Sequence, residues 1–278
     1  MKEDLQIKRK NLVRYLEGLD SLLVAFSGGV DSTFLLAISH HVLGENAVAA
    51  TAESIINTPE EIGRAREFTR RYGISHIIFP SEEIENPEFL SNGPDRCYLC
   101  KRALSRQLLE IAIKRNIRNI AHAANKDDLN DYRPGLQALE EAGLVAPLID
   151  AGITKQDVRF LSMEMGLSVW DKPSMACLVS RIPYGDGITK EKLKMIKRAE
   201  RFLLQKGFKQ VRVRLHGDTA RIEIEKSELG KIIETKMSEA IVKEFRGAGF
   251  EHISLDLEGY ISGSMNRSLK PDQMIRKR

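Results

Sequence analysis

The sequence predicts an α/β chain: a doubly wound parallel sheet followed by a smaller C-terminal α+β domain. Three observations predict it. Short apolar runs without polar alternation, such as LLVAF (22–26) and AVAATA (47–52), are strands buried on both faces. Charged stretches with helical periodicity separate them, which is the rhythm of β–α–β units. Past about residue 185 that rhythm stops and strictly alternating strands take over.

Taken in order, Leu5, Leu12, Leu16 and Leu19 recur among charges, so 3–19 opens the chain as a helix. SLLVAF (21–26) is a buried strand ending at Gly28-Gly29, DSTFLLAISHHVL (31–43) a helix, and AVAATA (47–52) the second strand. Pro59 starts a helix with acids in its first turn, and Gly73 stops it. HIIFP (76–80) is the third strand. A polar loop carrying Cys97 and Cys100 leads to a helix at 101–115 and a fourth strand at 119–124. A helix near 134–142, a strand at 145–149 and a helix at 154–165 continue the alternation. Beyond it, 190–207 is helical through Leu193, Ile196, Phe202 and Leu203. QVRVRLH and ARIEIE flank Gly217-Asp218, a hairpin turn. A helix at 227–246 precedes a strand at 252–258, and the basic tail SLKPDQMIRKR reads as loose. The expected domains are 1–185 and 186–278.

Composition narrows the classes. The chain has 278 residues, 42% apolar and 29% charged, as in ordinary soluble globular proteins. A net charge of +4 is too small to argue for nucleic acid, though it suits anionic small ligands. MKEDLQIKRKNL lacks an apolar signal core, and no apolar run approaches a membrane span. The 3 cysteines, an odd number, point to a reducing cytoplasm rather than a disulfide framework.

The strongest motif is AFSGGVDS (25–32), at a strand-to-helix turn. Gly28 and Gly29 let the backbone turn its N–H groups toward a ligand, and Ser27, Ser32 and Thr33 add hydroxyls. The next helix offers about half a positive charge at its N-terminus, so the nest suits an oxyanion, above all pyrophosphate. It is neither a Walker A loop nor a Rossmann G-x-G-x-x-G. A Gly-rich connector without a ligand is the plain alternative, and the full S-G-G-x-D-S after a buried strand argues against it. Other polar blocks lie downstream. NKDDLNDYRPG carries Asn125, Lys126, Asp127, Asp128, Asp131 and Arg133 past the fourth strand, and the alternative for each is a solvated turn. Arg181 follows Cys177 and could grip a carboxylate or phosphate with its planar fork. Arg212 and Arg214 share one strand face, with an exposed charged face as the alternative. Trp170 reads as core or wall, and His40, His41 and His122 as structural.

The stretch AFSGGVDS resembles the signature of the PP-loop ATP pyrophosphatases, with their adenine nucleotide alpha hydrolase-like fold. The resemblance implies that Ser27, Gly28, Gly29, Asp31 and Ser32 cradle pyrophosphate, with Asp31 touching it through Mg2+. It places adenine and ribose near Thr51, Ala52, Glu53 and Ser54. Nearly the whole chain is similar to the LarE proteins, sulfur transferases in nickel-pincer nucleotide biosynthesis. The carriers are SGGVDS, RCYLCK (96–101), NKDDLNDYRPG, WDKPSMACLVSRIPYG (170–185) and RVRLHGDTARIE (212–223). The resemblance implies adenylylation of a carboxylate of pyridinium-3,5-dicarboxylate mononucleotide by ATP, then displacement of AMP by sulfur. It implies that Asn125, Lys126, Asp128 and Arg133 line the site. Arg212 and Arg214 would bind the substrate phosphate, with Glu200 and Glu223 nearby.

Two versions of the sulfur chemistry follow. In one, Cys177 gives up its own sulfur and becomes dehydroalanine. In the other, Cys97, Cys100 and Cys177 hold a 4Fe–4S cluster whose fourth iron carries sulfide from an external donor. Cys97 and Cys100 have no use in the first version, so the second is favoured. A zinc site or a redox dithiol is the bland alternative. A tRNA thiolase is another reading, although no RNA-binding appendage is evident. The resemblance also implies other nickel-pincer maturation proteins as partners, and a homo-oligomer.

Overall fold

The computed structural model describes residues 2–130, 133–172, 176–261 and 263–268. Asp131, most of the basic tail and residues 173–175 of the Cys177 block lie outside the described residues. The described residues divide into two compact units: those up to Asn86 together with the stretch from Asp95 to 172, and residues 87–94 together with 176–261 and 263–268. The elements begin with α1 (Lys2–Glu17), β1 (Leu22–Ala25), α2 (Val30–Leu43), β2 (Ala47–Glu53), α3 (Pro59–Arg71) and β3 (His76–Pro80). Then come α4 (Pro87–Leu90), α5 (Arg96–Lys114), β4 (Asn119–Ala121), α6 (Pro134–Glu141), α7 (Pro147–Asp150) and α8 (Lys155–Glu164). The series ends with α9 (Lys190–Gln205), β5 (Val211–His216), β6 (Thr219–Ile224), α10 (Leu229–Ile233), α11 (Thr235–Ala248) and β7 (His252–Leu255).

In the first unit the strands lie in the order β3-β2-β1-β4, all parallel. Side chains alternate across β1. Leu22 and Val24 join Leu12 and Leu16 of α1, Leu35 of α2 and Leu161 of α8 in one core layer. Leu23 faces the other way, onto Leu108 and Ala112 of α5 and Leu139 of α6. Both faces are therefore covered, which is why the strands read as continuous apolar runs. The winding reverses between β1 and β4, and the carboxyl end of β1 beside that switch is where open α/β sheets receive ligands.

Two local expectations change here. The stretch VAPLI is not a strand: Val145 forms a single parallel bridge to Ala121, and Pro147 takes the first position of α7. Proline's fixed φ and missing N–H suit a helix start and end strand pairing. The Cys pair is not in a loop, because α5 begins at Arg96 and takes Cys97 and Cys100 as its second and fifth residues.

In the second unit β5 and β6 pair antiparallel from Val211↔Ile224 to His216↔Thr219, with Gly217 at φ +61° in the two-residue turn. β7 joins β6 in parallel, making a mixed sheet. Its core takes Ile196 and Leu203 of α9, Val213, Leu215, Ile222 and Ile224 of the hairpin, and Phe245 of α11. The helix expected at 227–246 is two, α10 and α11, separated at Glu234, whose ψ of 132° is extended. Among the described residues no helix is long and apolar enough to cross a membrane.

Candidate functional site

The loop after β1 is shaped by its own serines. Gly28 stands at φ +69°, a left-handed conformation that glycine adopts without steric cost. A Cβ there would meet the Glu61 carbonyl (3.5 Å) and Ala65 Cβ (3.6 Å) of α3 at ordinary contact distance, so the constraint is the backbone conformation. Gly29 N–H donates to Ser27 Oγ (3.3 Å), Ser27 N–H to Ser32 Oγ (3.3 Å), and Ser32 Oγ to the Gly29 carbonyl (3.2 Å). Gly29 is the N-cap of α2 and supplies no side-chain cap. No side chain at the N-cap therefore closes the positive end of this helix.

Three distant segments meet at Asp31. Asn125, only 2% exposed, donates from Nδ2 to Asp31 Oδ1 (3.2 Å). Lys155, at the start of α8, forms an ion pair with Asp31 Oδ2. Asn125 is itself fixed: its N–H donates to Asp128 Oδ2 (3.0 Å), and its Oδ1 accepts from Asp127 N–H (3.0 Å). Arg133 pairs with Asp128 (2.9 Å), and Lys155 N–H donates to Asp127 (2.8 Å). The Lys126 backbone bonds the Ile153 carbonyl (2.8 Å) while its side chain is exposed. The structure thus brings Asp31, Asn125, Asp128 and Arg133 into one network.

The ends of β2 and β3 form the adjoining rim. Thr51 Oγ1 donates to the Phe26 carbonyl (2.6 Å) and meets His76 Nε2 (2.8 Å). Burial, and then Arg66, push His76 down to about 4, so the ring is neutral at physiological pH. The Ala52 carbonyl accepts from Asn57 Nδ2 (3.2 Å). The Ser54 hydroxyl donates to the buried carboxylate of Glu83, which also accepts from Ser81. On the other side of the loop, Lys172 Nζ donates to the Gly28 carbonyl (2.9 Å). Lys155, Lys172, Glu83 and His76 were not singled out from sequence. Lys172 lies within the WDKPSMACLVSRIPYG block and the other three outside any motif, and only the fold reveals the neighbours of each.

Cys97 and Cys100 stand three residues apart on one face of α5, the first exposed and the second partly buried. α6 comes close to this turn because Gly135 lacks a side chain. A Cβ there would fall 2.9 Å from Lys101 Cγ and 3.2 Å from the Cys97 carbonyl. Nearby on the β4 edge, His122 is buried and pushed down to about 4, by burial first and Lys101 second.

Cys177 belongs to the second unit. It is exposed and immediately precedes a 3-10 turn, Leu178–Arg181. Arg181 is only 1% exposed, and the carboxylate its fork grips is the chain's own Glu200 (2.7 and 2.9 Å). Its Nη1 also donates to the carbonyls of Ala176 (2.6 Å) and Cys177 (3.0 Å), holding the backbone of the cysteine. Arg214 forms a second fork with Glu223 (3.0 and 2.9 Å) and bonds the Ser180 carbonyl. Arg181, Arg214, His216, Arg221, Glu223 and Ser264 line a cavity of about 410 Å³. Arg212 shares the strand face with Arg214 but lies over the Tyr260 ring, 5.1 Å from its centroid. Burial, and then the Arg181 charge, lower its pKa.

No family model matches the chain. It is 42% identical over 265 residues to an uncharacterized protein of Synechocystis sp., covering 95% of this chain and 99% of that one. It is 33% identical over 260 residues to an uncharacterized protein of Methanocaldococcus jannaschii, covering 92% and 97%. Against the pyridinium-3,5-bisthiocarboxylic acid mononucleotide synthase of Lactiplantibacillus plantarum it is 35% identical over 271 residues, covering 97% and 98%. A parallel α/β sheet with its loop at the switch point, and 35% identity to that synthase over 97% of this chain, lead to one assignment: the chain belongs to the LarE family.

Proposed function

We propose that this chain is an ATP-dependent sulfur transferase that converts a carboxylate of pyridinium-3,5-dicarboxylate mononucleotide to a thiocarboxylate. The observation that carries the reading is the uncapped α2 N-terminus at the Ser27–Ser32 loop, with Asp31 held by Asn125 and Lys155. The 35% identity, over 97% of the chain, to a synthase of the corresponding bisthiocarboxylic product supports the substrate. A carboxylate oxygen is a poor leaving group, and transfer of AMP onto it makes a good one. The loop N–H groups and the Ser27 and Ser32 hydroxyls hold the pyrophosphate end of ATP. The Asp31 carboxylate suits Mg2+, a hard cation that takes oxygen ligands. Ala52 and Ser54, at the end of β2, border the nucleoside, and Lys126 and Arg133 the rim beside it. The cavity with Arg214 and Arg181, beside Arg212, receives the substrate's phosphate.

Cys97, Cys100 and Cys177, none in a disulfide, would hold a 4Fe–4S cluster; soft thiolates fit that group. The cluster, when bound, supplies the sulfur that replaces AMP. A second reading rests on the exposure of Cys177 and its Arg181-held backbone: Cys177 itself donates sulfur. The assay is AMP and pyrophosphate release dependent on the dicarboxylate nucleotide, with a product in which sulfur replaces oxygen. Absence of AMP and of the heavier product refutes the reading. A Cys97→Ala/Cys100→Ala chain separates the two sulfur sources. Loss of bound iron and of turnover supports the cluster; one turnover with dehydroalanine at position 177 supports the sacrificial route. A homo-oligomer working with other nickel-pincer maturation proteins in the cytoplasm completes the proposal.

A further inference from the structure

Lys172 reaches the nucleotide loop from a stretch that is itself anchored. Arg159 of α8 donates Nη1 to the Trp170 carbonyl and Nη2 to the Lys172 carbonyl, both at 2.7 Å. From this fixed backbone the Lys172 ammonium extends to the Gly28 carbonyl at 2.9 Å. Among the described residues it makes no ion pair with a carboxylate. Its charged neighbours are Arg64 and Glu61 of α3, and the arginine outweighs the glutamate. Burial, with Arg64 second, lowers Lys172 to about 8, so it is mostly protonated at neutral pH. A half-buried cation thus stands beside a second cation and the positive end of α2, and Glu61, outweighed by Arg64, forms no ion pair with it among the described residues. Such an arrangement carries an electrostatic cost that an entering polyanion offsets, and perturbed groups of this kind gather at working sites.

We propose that Lys172 is a polyphosphate-contacting residue of the loop, turning from the Gly28 carbonyl to the pyrophosphate end of bound ATP and stabilising it as it leaves. This rests on the reading of the loop as an ATP site. In the step concerned, a substrate carboxylate oxygen forms a bond to the α-phosphorus. The bond from that phosphorus to the α,β-bridging oxygen breaks, and the oxygen keeps the electron pair. Lys172 stays protonated throughout and transfers no proton; its charge faces the one that develops on pyrophosphate. If its role were only to cap the Gly28 carbonyl, any neutral donor of similar reach would serve.

That difference sets the test on the full chain. Lys172→Gln keeps a donor for Gly28 but no charge, and Lys172→Arg keeps the charge. Binding of inorganic pyrophosphate with magnesium is measured by calorimetry, alongside kcat and KM for AMP formation. The expected loss in K172Q is about 10- to 100-fold in pyrophosphate affinity, the size of one charge-assisted hydrogen bond, with a lower kcat and much of both recovered in K172R. A K172Q chain within twofold of the unaltered protein in both readouts overturns the role while leaving the ATP site standing. An unaltered chain that binds no pyrophosphate and makes no AMP overturns both. Should K172Q not fold, reductive methylation of the unaltered chain decides. Protection of Lys172 by magnesium pyrophosphate supports the role, and equal labelling with and without it overturns it.

Discussion

Removing the Glu200 carboxylate isolates the contribution of one buried ion pair to the cysteine segment. The side chains of Arg181 and Glu200 are 1% and 8% exposed. Glu200 accepts three bonds: Arg181 Nε (2.7 Å), Arg181 Nη2 (2.9 Å) and Val213 N–H (2.9 Å). Glu200→Ala leaves a guanidinium and a strand amide without these partners. Stranding one member of a buried pair costs about 3–5 kcal/mol, and the amide adds to it. At about 2–4 °C per kcal/mol for a chain of this size, the melting temperature should fall by roughly 6–20 °C. The second consequence is local. Arg181 Nη1 holds the Ala176 and Cys177 carbonyls, so alkylation of the Cys177 thiol should speed up well below the melting point. Calorimetry and timed alkylation measure the two effects. A double Arg181→Met/Glu200→Met chain provides the control, since an apolar pair of similar volume often replaces a buried ion pair at little cost. A melting shift under about 2 °C for Glu200→Ala refutes the reasoning. So does a double variant as unstable as the sum of its parts.

Further outcomes can be checked on the first unit. His122 is pushed from its ordinary 6.5 down to about 4, so the folded chain favours the neutral ring. Its contribution is complete above pH 6.5 and is lost as pH falls toward 4, about 3 kcal/mol in all. His122→Asn, which retains an acceptor for the Ala124 N–H, should flatten the fall in stability between pH 6.5 and 4.5; parallel denaturation curves would count against it. Gly135→Ala should cost about 1–3 kcal/mol by crowding the first turn of α5, and should alter Cys97 labelling. Unchanged stability and labelling would show that the helix crossing can give way.

The strands and helices of the first unit were legible because their cores are regular. Leu22, Val24 and Leu23 sort cleanly to opposite layers. The loop at Ser27–Ser32 was equally clear, since its glycines and serines do local work that spacing reveals. VAPLI misled because its apolar run is as long as a strand, while Pro147 favours a helix start. The turn holding Cys97 reads as a loop because the helix breakers Asn92-Gly93-Pro94 stand just before it, and helix propensity alone is a weak guide there. Arg181 reads from sequence as a ligand for some outside anion; its partner, Glu200, lies on another helix, which no local pattern announces. Lys155 and Lys172 were hidden for the same reason: their significance is a distance to Asp31 and to Gly28.

One detour of the backbone has practical weight. The chain leaves the first unit after Asn86, spends residues 87–94 in the second, and returns at Asp95, one residue before α5 and the Cys pair. Within that detour Asn92, fully buried at φ +62°, donates to the carbonyls of Ile182 (3.3 Å), Pro183 (2.7 Å) and Asp186 (2.9 Å). No single cut therefore separates the protein into two self-sufficient pieces. A truncation ending before Cys177 would strip Asn92 of the Ile182, Pro183 and Asp186 carbonyls. The second unit cannot be lent to another scaffold as a cassette unless the eight-residue loan is repaid. Insertions and deletions between residues 86 and 95 should be tolerated far less than the loop-like composition of that stretch suggests.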